Sequence, residues 1–285
     1  MGIVVKAYGK INIFLDCLKK RDDGYHEVKM VMQSVRLHDL VEIRKAEKNS
    51  VFTDSLYVPN NKNNLALKAA SLLQEKGGVP PVAIKIKKNI PVSAGMAGGS
   101  TDAAALLRAL DVYYDKRLSL DALCQLGAKV GSDVPFCILG GTAITEEKGQ
   151  LLFPIIHEPQ AYYVIVKPEA SISTKEMYEQ LDREGIPAAN DTKRIVNGFR
   201  NQNVAQIAKN LYNVFEPLAI QRVPEIGKIK QQLKQYGALN AQMTGSGSAV
   251  YGIFDSLETA MDACDTLREK YPETFLATNG DFDEA

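Results

Sequence analysis

The sequence predicts an α+β protein, and three observations lead to this fold class. A strand-like run at residues 82–87 enters a loop of small residues at 91–101. An Ala- and Leu-rich segment follows, and this is the composition that helices favour. The second half of the chain predicts strands and helices in the order β-α-β-β-α-β, the ferredoxin-like arrangement. The length, 285 residues, suits one large or two ordinary domains.

The composition is typical of a soluble globular protein, with 45% apolar and 24% charged residues. The formal net charge is zero, so nucleic acid is not expected as a partner. No apolar run approaches the roughly 20 residues of a membrane helix, and no signal-peptide layout is present. Four cysteines lie far apart in apolar segments and are predicted to be reduced core residues of a cytoplasmic protein: Cys17, Cys124, Cys137 and Cys264.

In the first half of the chain, residues 4–15 alternate loosely and predict one or two strands. Residues 28–35 and 39–45 predict the two strands of a hairpin. Helical patterns cover 65–73, 103–114 and 120–130. The apolar run at 136–143 predicts a buried strand.

The second half predicts a strand at 162–167, helices at 174–181 and 224–236, and a polar helical stretch at 190–212. Two strands, 241–244 and 249–254, a helix at 257–271 and a strand at 274–278 complete the ferredoxin-like order. We predict two domains, residues 1–158 and 159–285. The acidic end of the chain, 280–285, is expected to fray.

The small-residue loop has the features of an anion site. Gly95, Gly98 and Gly99 permit positive φ angles and leave room for a ligand at the main chain. The N-terminus of the following helix offers N–H groups and a positive dipole end. Three residues there are candidate N-caps, namely Ser100, Thr101 and Asp102. The loop therefore predicts binding of nucleotide phosphates, with an ordinary strand–helix turn as the alternative. The P-loop, dinucleotide-binding and His-Arg-Asp kinase motifs do not occur.

Three further segments have a structural and a functional interpretation. Lys10 and Asn12 lie two apart, on one face of a strand, but a lysine there more often faces solvent. Asp133 lies beside an apolar run, where its proton affinity can be tuned for a base; its spacing alone favours a turn. The segment 243–249 predicts a hairpin turn, with a second ligand-lining loop as the alternative.

Taken together, the strand that carries Lys10, the loop at 91–105 and the turn at 243–249 resemble the motifs of the GHMP kinases, in order along nearly the whole chain. The resemblance implies a GHMP kinase fold. This fold has an N-terminal, ATP-binding unit similar to ribosomal protein S5 domain 2 and a C-terminal ferredoxin-like α/β sandwich.

Four more specific segments, 7–12, 23–27, 131–136 and 171–174, resemble the members that act on a cytidine-linked polyol. They imply ATP- and Mg²⁺-dependent phosphorylation of a tertiary hydroxyl on cytidine-diphosphate-linked methylerythritol, in non-mevalonate isoprenoid synthesis. The alternatives are a GHMP kinase for another small alcohol and a catalytically silent protein that binds a nucleotide. No membrane partner is implied, and we expect a monomer or weak homodimer.

The resemblance also implies residue roles. Asp133 is the base that takes the hydroxyl proton, and Lys10 keeps it ionised and stabilises charge on the transferred group. Residues implied to bind ATP are Asn64, Lys88, Pro91, Gly95, Met96, Ala97, Gly98, Gly99, Ser100 and Thr101. Those implied to bind the second substrate are Asn12, Tyr25, His26 and Tyr178, with the aromatic rings at the cytosine. Ser100, or else Thr101, is implied to touch Mg²⁺.

Two residues depart from the family pattern. Ala97 replaces a frequent glycine, and Met96 a leucine. Ala97 keeps its N–H, so phosphate binding is expected to survive provided that its φ is not left-handed. Asp102 stands where some relatives have Asn, and we expect a cap or a second metal contact there.

Overall fold

The computed structural model describes residues 2–187 and 190–280. The acidic end after Gly280 lies outside the described residues. The strands are β1 (Gly2–Lys20), β2 (His26–Lys45), β3 (Ser50–Thr53), β4 (Val82–Lys87), β5 (Thr142–Glu146), β6 (Leu151–Ile155), β7 (Tyr162–Val166), β8 (Tyr212–Asn213), β9 (Asn240–Met243), β10 (Val250–Phe254) and β11 (Thr274–Thr278). The helices are α1 (Leu65–Gln74), α2 (Gly98–Tyr113), α3 (Leu120–Ala128), α4 (Val134–Leu139), α5 (Thr174–Glu184), α6 (Lys193–Arg200), α7 (Val204–Lys209), α8 (Glu216–Arg222), α9 (Glu225–Gln235) and α10 (Leu257–Lys270).

The chain forms two compact units, neither of which is continuous in sequence. The first contains residues 2–9, 37–92 and 97–140. The second contains 10–36, 93–96 and the described residues from 141 onward. The strands β1 and β2 each contribute to both units. The predicted domain boundary between residues 158 and 159 stays a prediction.

The first unit pairs a small sheet with four helices. In the sheet, β4 runs antiparallel to the second half of β2 and parallel to β3. Its alternation is regular, with Val82, Ile84 and Ile86 buried on one face. Helix α1 packs against α2, and α4 packs against α2 and α3. The buried face of α1 contains three alanines, and such small side chains fit where α2 approaches.

The second unit contains the predicted ferredoxin-like sheet. Its four strands lie in the order β11-β7-β10-β9, with every neighbouring pair antiparallel. Numbered within the β-α-β-β-α-β set, this is the order 4-1-3-2. Helices α9 and α10 pack against these strands. The same unit contains β5, which pairs with the first half of β2 and with β6, and β8, which pairs in parallel with β1.

The predicted hairpin at residues 28–35 and 39–45 is wrong, because β2 is one strand of 20 residues. The segment between the two predicted strands, Arg36-Leu37-His38, contains none of the Gly, Asn, Asp or Pro residues that tight turns require. The strand therefore continues through it. Residues 4–15 likewise belong to the single strand β1.

The predicted buried strand at 136–143 is also wrong. Residues 134–139 form helix α4, and strand β5 begins only at Thr142. Pro135 occupies the first helical turn, where its missing N–H costs nothing. Gly140 follows the last turn with a φ of +76°, a conformation that favours glycine. A short apolar run does not by itself distinguish a strand from a buried helix.

The predicted state of the cysteines agrees with the structure. All four are free thiols; Cys17, Cys137 and Cys264 are buried, and Cys124 is half-buried. Burial raises the pKa of Cys17 to about 12, and burial also raises the pKa of Cys124 to about 11. Thiols with such pKa values are unreactive near neutral pH. Within residues 2–187 and 190–280, no helix combines the length and apolar character needed to cross a bilayer.

Candidate active site

The candidate phosphate loop, residues 91–101, ends in the first turn of α2. Helix α2 begins at Gly98, earlier than the candidate caps Ser100, Thr101 and Asp102, so the capping prediction is wrong. The residue at the N-cap position is Ala97, which has no side-chain group to offer. The first amides of a helix have no partner within the helix. An uncapped helix of 16 residues therefore presents main-chain donors suited to a phosphate group.

Phosphate binding at Ala97 is expected on the condition that its φ is not left-handed. The residue has φ +58° and ψ +29°, in the left-handed region, so this condition is not met. For a residue with a β-carbon, this conformation costs roughly 1–2 kcal/mol. The frequent glycine of the family would adopt it without strain. The alanine therefore leaves backbone strain directly at the start of α2.

Replacing Ala97 with Gly is expected to raise the free energy of unfolding by about 1 kcal/mol, because glycine relieves the strain but gains freedom in the unfolded chain. The shift in the urea midpoint at unchanged m-value measures it. Ala109→Gly, in the body of the same helix, is the matched control and should lower stability by about 1 kcal/mol. An equal loss of unfolding free energy in Ala97→Gly and Ala109→Gly would contradict backbone strain at Ala97.

A buried charged cluster lies beside the start of α2. The Lys88 ammonium donates to the Asp102 carboxylate (Nζ to Oδ2, 2.8 Å) and to Asp39. The three side chains are 7%, 2% and 0% exposed, in that order. The other Asp39 oxygen, Oδ1, accepts the main-chain N–H groups of Asn89 (2.6 Å) and Ile90 (2.8 Å). The cluster thus joins β2, the end of β4 and α2.

The cluster holds two carboxylates but one ammonium. Burial raises the pKa of Asp102 to about 7; Lys88 opposes this shift and Asp39 adds to it. The two carboxylates in turn raise the pKa of Lys88, against the effect of burial. A β-carbon added at Gly98 would lie 3.2 Å from Lys88 Nζ, so the cluster leaves little room for a side chain at the first α2 residue. Lys88 is implied to bind ATP, but in this structure its ammonium donates hydrogen bonds to two carboxylates. Its contact with ATP stays a prediction.

The sequence analysis does not single out Asp39, although an acid that directly precedes the apolar residues Leu40 and Val41 of a strand is a signal of a buried, paired carboxylate. Asn64, also implied to bind ATP, is 4% exposed and caps α1. Its Oδ1 accepts the Ala66 N–H (2.9 Å), and its Nδ2 donates to the Pro59 carbonyl (3.0 Å). Its contact with ATP stays a prediction.

Lys10 is buried, 4% exposed, so the solvated face favoured for it in isolation is wrong. Its Nζ donates to Asn12 Oδ1 (2.6 Å) and to the Gly95 carbonyl (2.8 Å), all within the second unit. Because Lys10 is buried, solvent screens a charge at its Nζ only weakly. This is the type of group that stabilises an anionic transition state.

The turn at 243–249 contacts the first part of the phosphate loop. The Thr244 hydroxyl donates to the Gly95 carbonyl (3.2 Å) and accepts the Asn12 N–H (3.1 Å). A β-carbon at Gly95, whose φ is +74°, would lie 2.1 Å from the Thr244 carbonyl oxygen. One at Gly245 would lie 2.8 Å from the Gly95 carbonyl oxygen. The segment is therefore more than a hairpin turn, because its main chain packs against that of Gly95.

Asp133 is half-buried and belongs to the first unit. It occupies the N-cap position of α4 with helical dihedral angles, φ −85° and ψ −12°, and its side chain makes no cap hydrogen bond. The residue therefore forms a turn, as its spacing favours, while its carboxylate is not used to cap the helix. The role of Asp133 as the base stays a prediction.

The residues implied to bind cytosine, Tyr25, His26 and Tyr178, all belong to the second unit. The rings of His26 and Tyr178 stack on each other, with centroids 4.4 Å apart and an angle of 19°. Phe215 meets the Tyr178 ring edge-on. Tyr25 is 62% exposed, with Lys148 Nζ 4.4 Å from its ring centroid. The structure thus brings His26 and Tyr178 together as a stacked pair, which leaves no space for a base between these two rings.

The two hydroxyls implied to touch Mg²⁺ differ in their surroundings. Thr101 is 1% exposed, and its hydroxyl donates to the Gly98 carbonyl (2.7 Å). Ser100 is half-buried. Across the part of the chain that the structure describes, no group of three or more His, Cys, Asp or Glu side chains is arranged to hold a metal. A magnesium ion bound by triphosphate oxygens requires few protein ligands.

With this geometry established, family comparison identifies the class of protein. The GHMP kinases N terminal domain matches residues 64–141, and the GHMP kinases C terminal domain matches residues 195–273. Together these matches cover more than half of the chain, so it belongs to the GHMP kinase family. The predicted fold class and family are thereby confirmed.

Individual relatives are more specific. The 4-diphosphocytidyl-2-C-methyl-D-erythritol kinase of Caldicellulosiruptor saccharolyticus is 43% identical over 97% of this chain and 96% of its own length. The kinase of that name from Clostridium botulinum is 40% identical over 95% of this chain and 98% of its own.

Solved structures agree. That of a 4-(cytidine 5'-diphospho)-2C-methyl-D-erythritol kinase superposes with a TM-score of 0.83 at 28% identity, over 98% of this chain and all of the other. Homoserine kinase from Cytophaga hutchinsonii gives a TM-score of 0.75 at 16% identity, over 98% and 94% of the two chains. This last likeness shows a common fold only.

Proposed function

We propose that this protein is an ATP-dependent kinase that phosphorylates the 2-hydroxyl of 4-diphosphocytidyl-2-C-methyl-D-erythritol, a step of non-mevalonate isoprenoid synthesis. The observation that carries the proposal is the 43% identity, over 97% of the chain, to a kinase of that name. The uncapped start of α2, the buried Lys10 and the aromatic residues around His26 support it. ATP and Mg²⁺ are the proposed cofactors.

The residues suit this chemistry. When bound, ATP supplies the phosphoryl group and Mg²⁺ neutralises phosphate charge. The main-chain amides of Gly98, Gly99 and Ser100 would bind the phosphates, since the side chain at the N-cap does not occupy them. Ser100, rather than the internally bonded Thr101, is the proposed metal contact.

The remaining roles concern the acceptor alcohol. Asp133 would take its proton during transfer, and the Lys10 ammonium would stabilise the negative charge that develops. Asn12 accepts a hydrogen bond from Lys10 and would orient the polyol. We further propose that residues 1–158 bind ATP, and that the protein is a cytoplasmic monomer or weak homodimer without nucleic-acid or membrane partners.

A coupled ADP-release assay tests this function. With ATP and Mg²⁺, we expect turnover with 4-diphosphocytidyl-2-C-methyl-D-erythritol and background rates with mevalonate, homoserine and galactose. Turnover with one of the latter three alone would contradict the proposal and favour another alcohol kinase. ATP binding without turnover of any alcohol would instead favour the silent nucleotide-binding protein.

A further inference from the structure

His26 has an ionic neighbour that the sequence did not reveal. Its Nε2 lies 2.7 Å from Asp182 Oδ1, and Lys20 Nζ donates to the other Asp182 oxygen, Oδ2, at 2.5 Å. Asp182 belongs to α5, while Lys20 and His26 are at the facing ends of β1 and β2. All three residues belong to the second unit. Each carboxylate oxygen of Asp182 therefore has one partner.

This contact determines which nitrogen of His26 carries the hydrogen. Hydrogen bonds from Lys20 and His26 lower the pKa of Asp182 below its usual 3.8, so its carboxyl is ionised at neutral pH. An ionised carboxylate only accepts hydrogen bonds. His26 Nε2 must therefore be the donor, and in the neutral ring Nδ1 then carries a lone pair.

The ring is also held in place. The His26 side chain is 6% exposed, and its face stacks on Tyr178, which Phe215 supports edge-on. The stack fixes the plane of the ring, and the Asp182 contact fixes its rotation within that plane. The preceding residue in the chain, Tyr25, is 62% exposed, and its aromatic ring has Lys148 Nζ 4.4 Å from its centroid. A fixed acceptor next to an aromatic face suits a planar heterocycle that carries an amino group.

We propose that Asp182 is a positioning residue, which holds His26 as the Nε2–H tautomer so that Nδ1 accepts a hydrogen bond from the exocyclic amino group of the substrate base. The inference rests on the proposed function, because that function supplies the cytosine. Cytosine carries an amino donor at C4, where uracil carries a carbonyl acceptor. A lone pair on Nδ1 accepts a hydrogen bond from the amino group of cytosine and repels the carbonyl oxygen of uracil, so the tautomer selects cytosine.

The test compares Asp182→Asn with Glu179→Gln, another carboxylate-to-amide change on α5, at a residue whose partner is Lys175. An amide can donate to or accept from Nε2, so Asn releases the tautomer while nearly preserving shape. With cytidine- and uridine-diphosphate-linked methylerythritol, we expect the ratio of kcat/KM values to fall at least about tenfold in Asp182→Asn. The KM for the cytidine compound should rise, and the KM for ATP should stay unchanged. Glu179→Gln should match the wild type.

Nitrogen-15 NMR of the histidine rings gives a readout that needs no substrate, and the chain has three histidines to assign. We expect His26 as the Nε2–H tautomer in the wild type and in Glu179→Gln, with mixed tautomers in Asp182→Asn. An unchanged His26 spectrum in Asp182→Asn would overturn the positioning role. A changed spectrum with an unchanged cytidine-to-uridine ratio would overturn the selection of the base.

A second variant separates geometry from charge. Lys20→Met removes one partner of Asp182 but leaves Oδ1 to accept from His26 Nε2, so the cytidine preference should persist. A loss as large as that of Asp182→Asn would overturn the tautomer mechanism. A different outcome is that the wild type turns over neither compound while the His26 tautomer still depends on Asp182. That result would contradict the proposed function but would leave the positioning of His26 by Asp182 intact.

Discussion

Replacing Asp133 with Asn is expected to lower kcat by about 10²- to 10⁴-fold, the usual contribution of a positioned general base. The amide cannot take the proton of the acceptor hydroxyl during phosphoryl transfer. The KM for ATP should change little, because the loss falls on the chemical step. Steady-state ADP release with 4-diphosphocytidyl-2-C-methyl-D-erythritol measures both constants.

The structure makes this substitution a clean test. The Asp133 side chain makes no cap hydrogen bond to α4, so Asn removes no bond of that helix. The thermal unfolding midpoint should therefore stay close to that of the wild type. Asp121→Asn, at an exposed acid in the first turn of α3, is the control and should retain full activity. Activity of Asp133→Asn within about tenfold of the wild type, some 1.4 kcal/mol of barrier, would rule out the base assignment.

Replacing Lys88 with Met is expected to have the largest effect on stability, about 3–5 kcal/mol, the usual cost of breaking a buried ion pair. The ammonium is the partner shared by Asp39 and Asp102, both nearly inaccessible to solvent. Without it, two buried carboxylates face each other. Equilibrium unfolding in urea gives the free energy. Lys85→Met, on the exposed face of β4, is the matched control and should stay within about 0.5 kcal/mol of the wild type.

The stability of the Lys88→Met variant is expected to decrease as the pH rises. Burial already raises the pKa of Asp102 above its usual 3.8, and loss of Lys88 removes the opposing effect. A carboxyl whose folded pKa is raised adds stability below its unfolded pKa and loses it as pH rises through the folded pKa. The variant should therefore be less stable at pH 8 than at pH 5. Adding Asp102→Asn should restore part of the loss at pH 8. A cost that is independent of pH would contradict a charge effect.

The sequence correctly predicts those elements in which apolar and polar residues alternate regularly and the ends are marked by turn residues. The strands β4 and β11 have their predicted bounds, and the four-stranded sheet has the predicted ferredoxin-like order. The segment 28–45 predicts two strands, but its central residues, 36–38, include none that a tight turn requires, so one strand continues through them. The apolar run at 136–143 predicts a strand, whereas Pro135 in the first turn and Gly140 after the last turn fit the two ends of helix α4.

The candidate site was harder to predict because its contacts connect distant parts of the chain. Lys10 is buried and donates to the carbonyl of Gly95, 85 positions away, and no periodicity of the sequence reveals such a contact. The resemblance alone implies that Lys88 binds ATP; its carboxylate partners, 49 and 14 positions distant, cannot be recognised from a local pattern. The left-handed φ of Ala97 is likewise set by its surroundings, since alanine does not favour it.

The close approach of Gly95 and Gly245 has a consequence for inhibitor design. At both positions it is main chain that occupies the space a side chain would need, so no neighbouring substitution can make room for one. A compound that binds the peptide groups of these two turns would contact atoms that every amino acid shares. Resistance by point mutation at these positions would then require an exchange that the backbone does not accommodate.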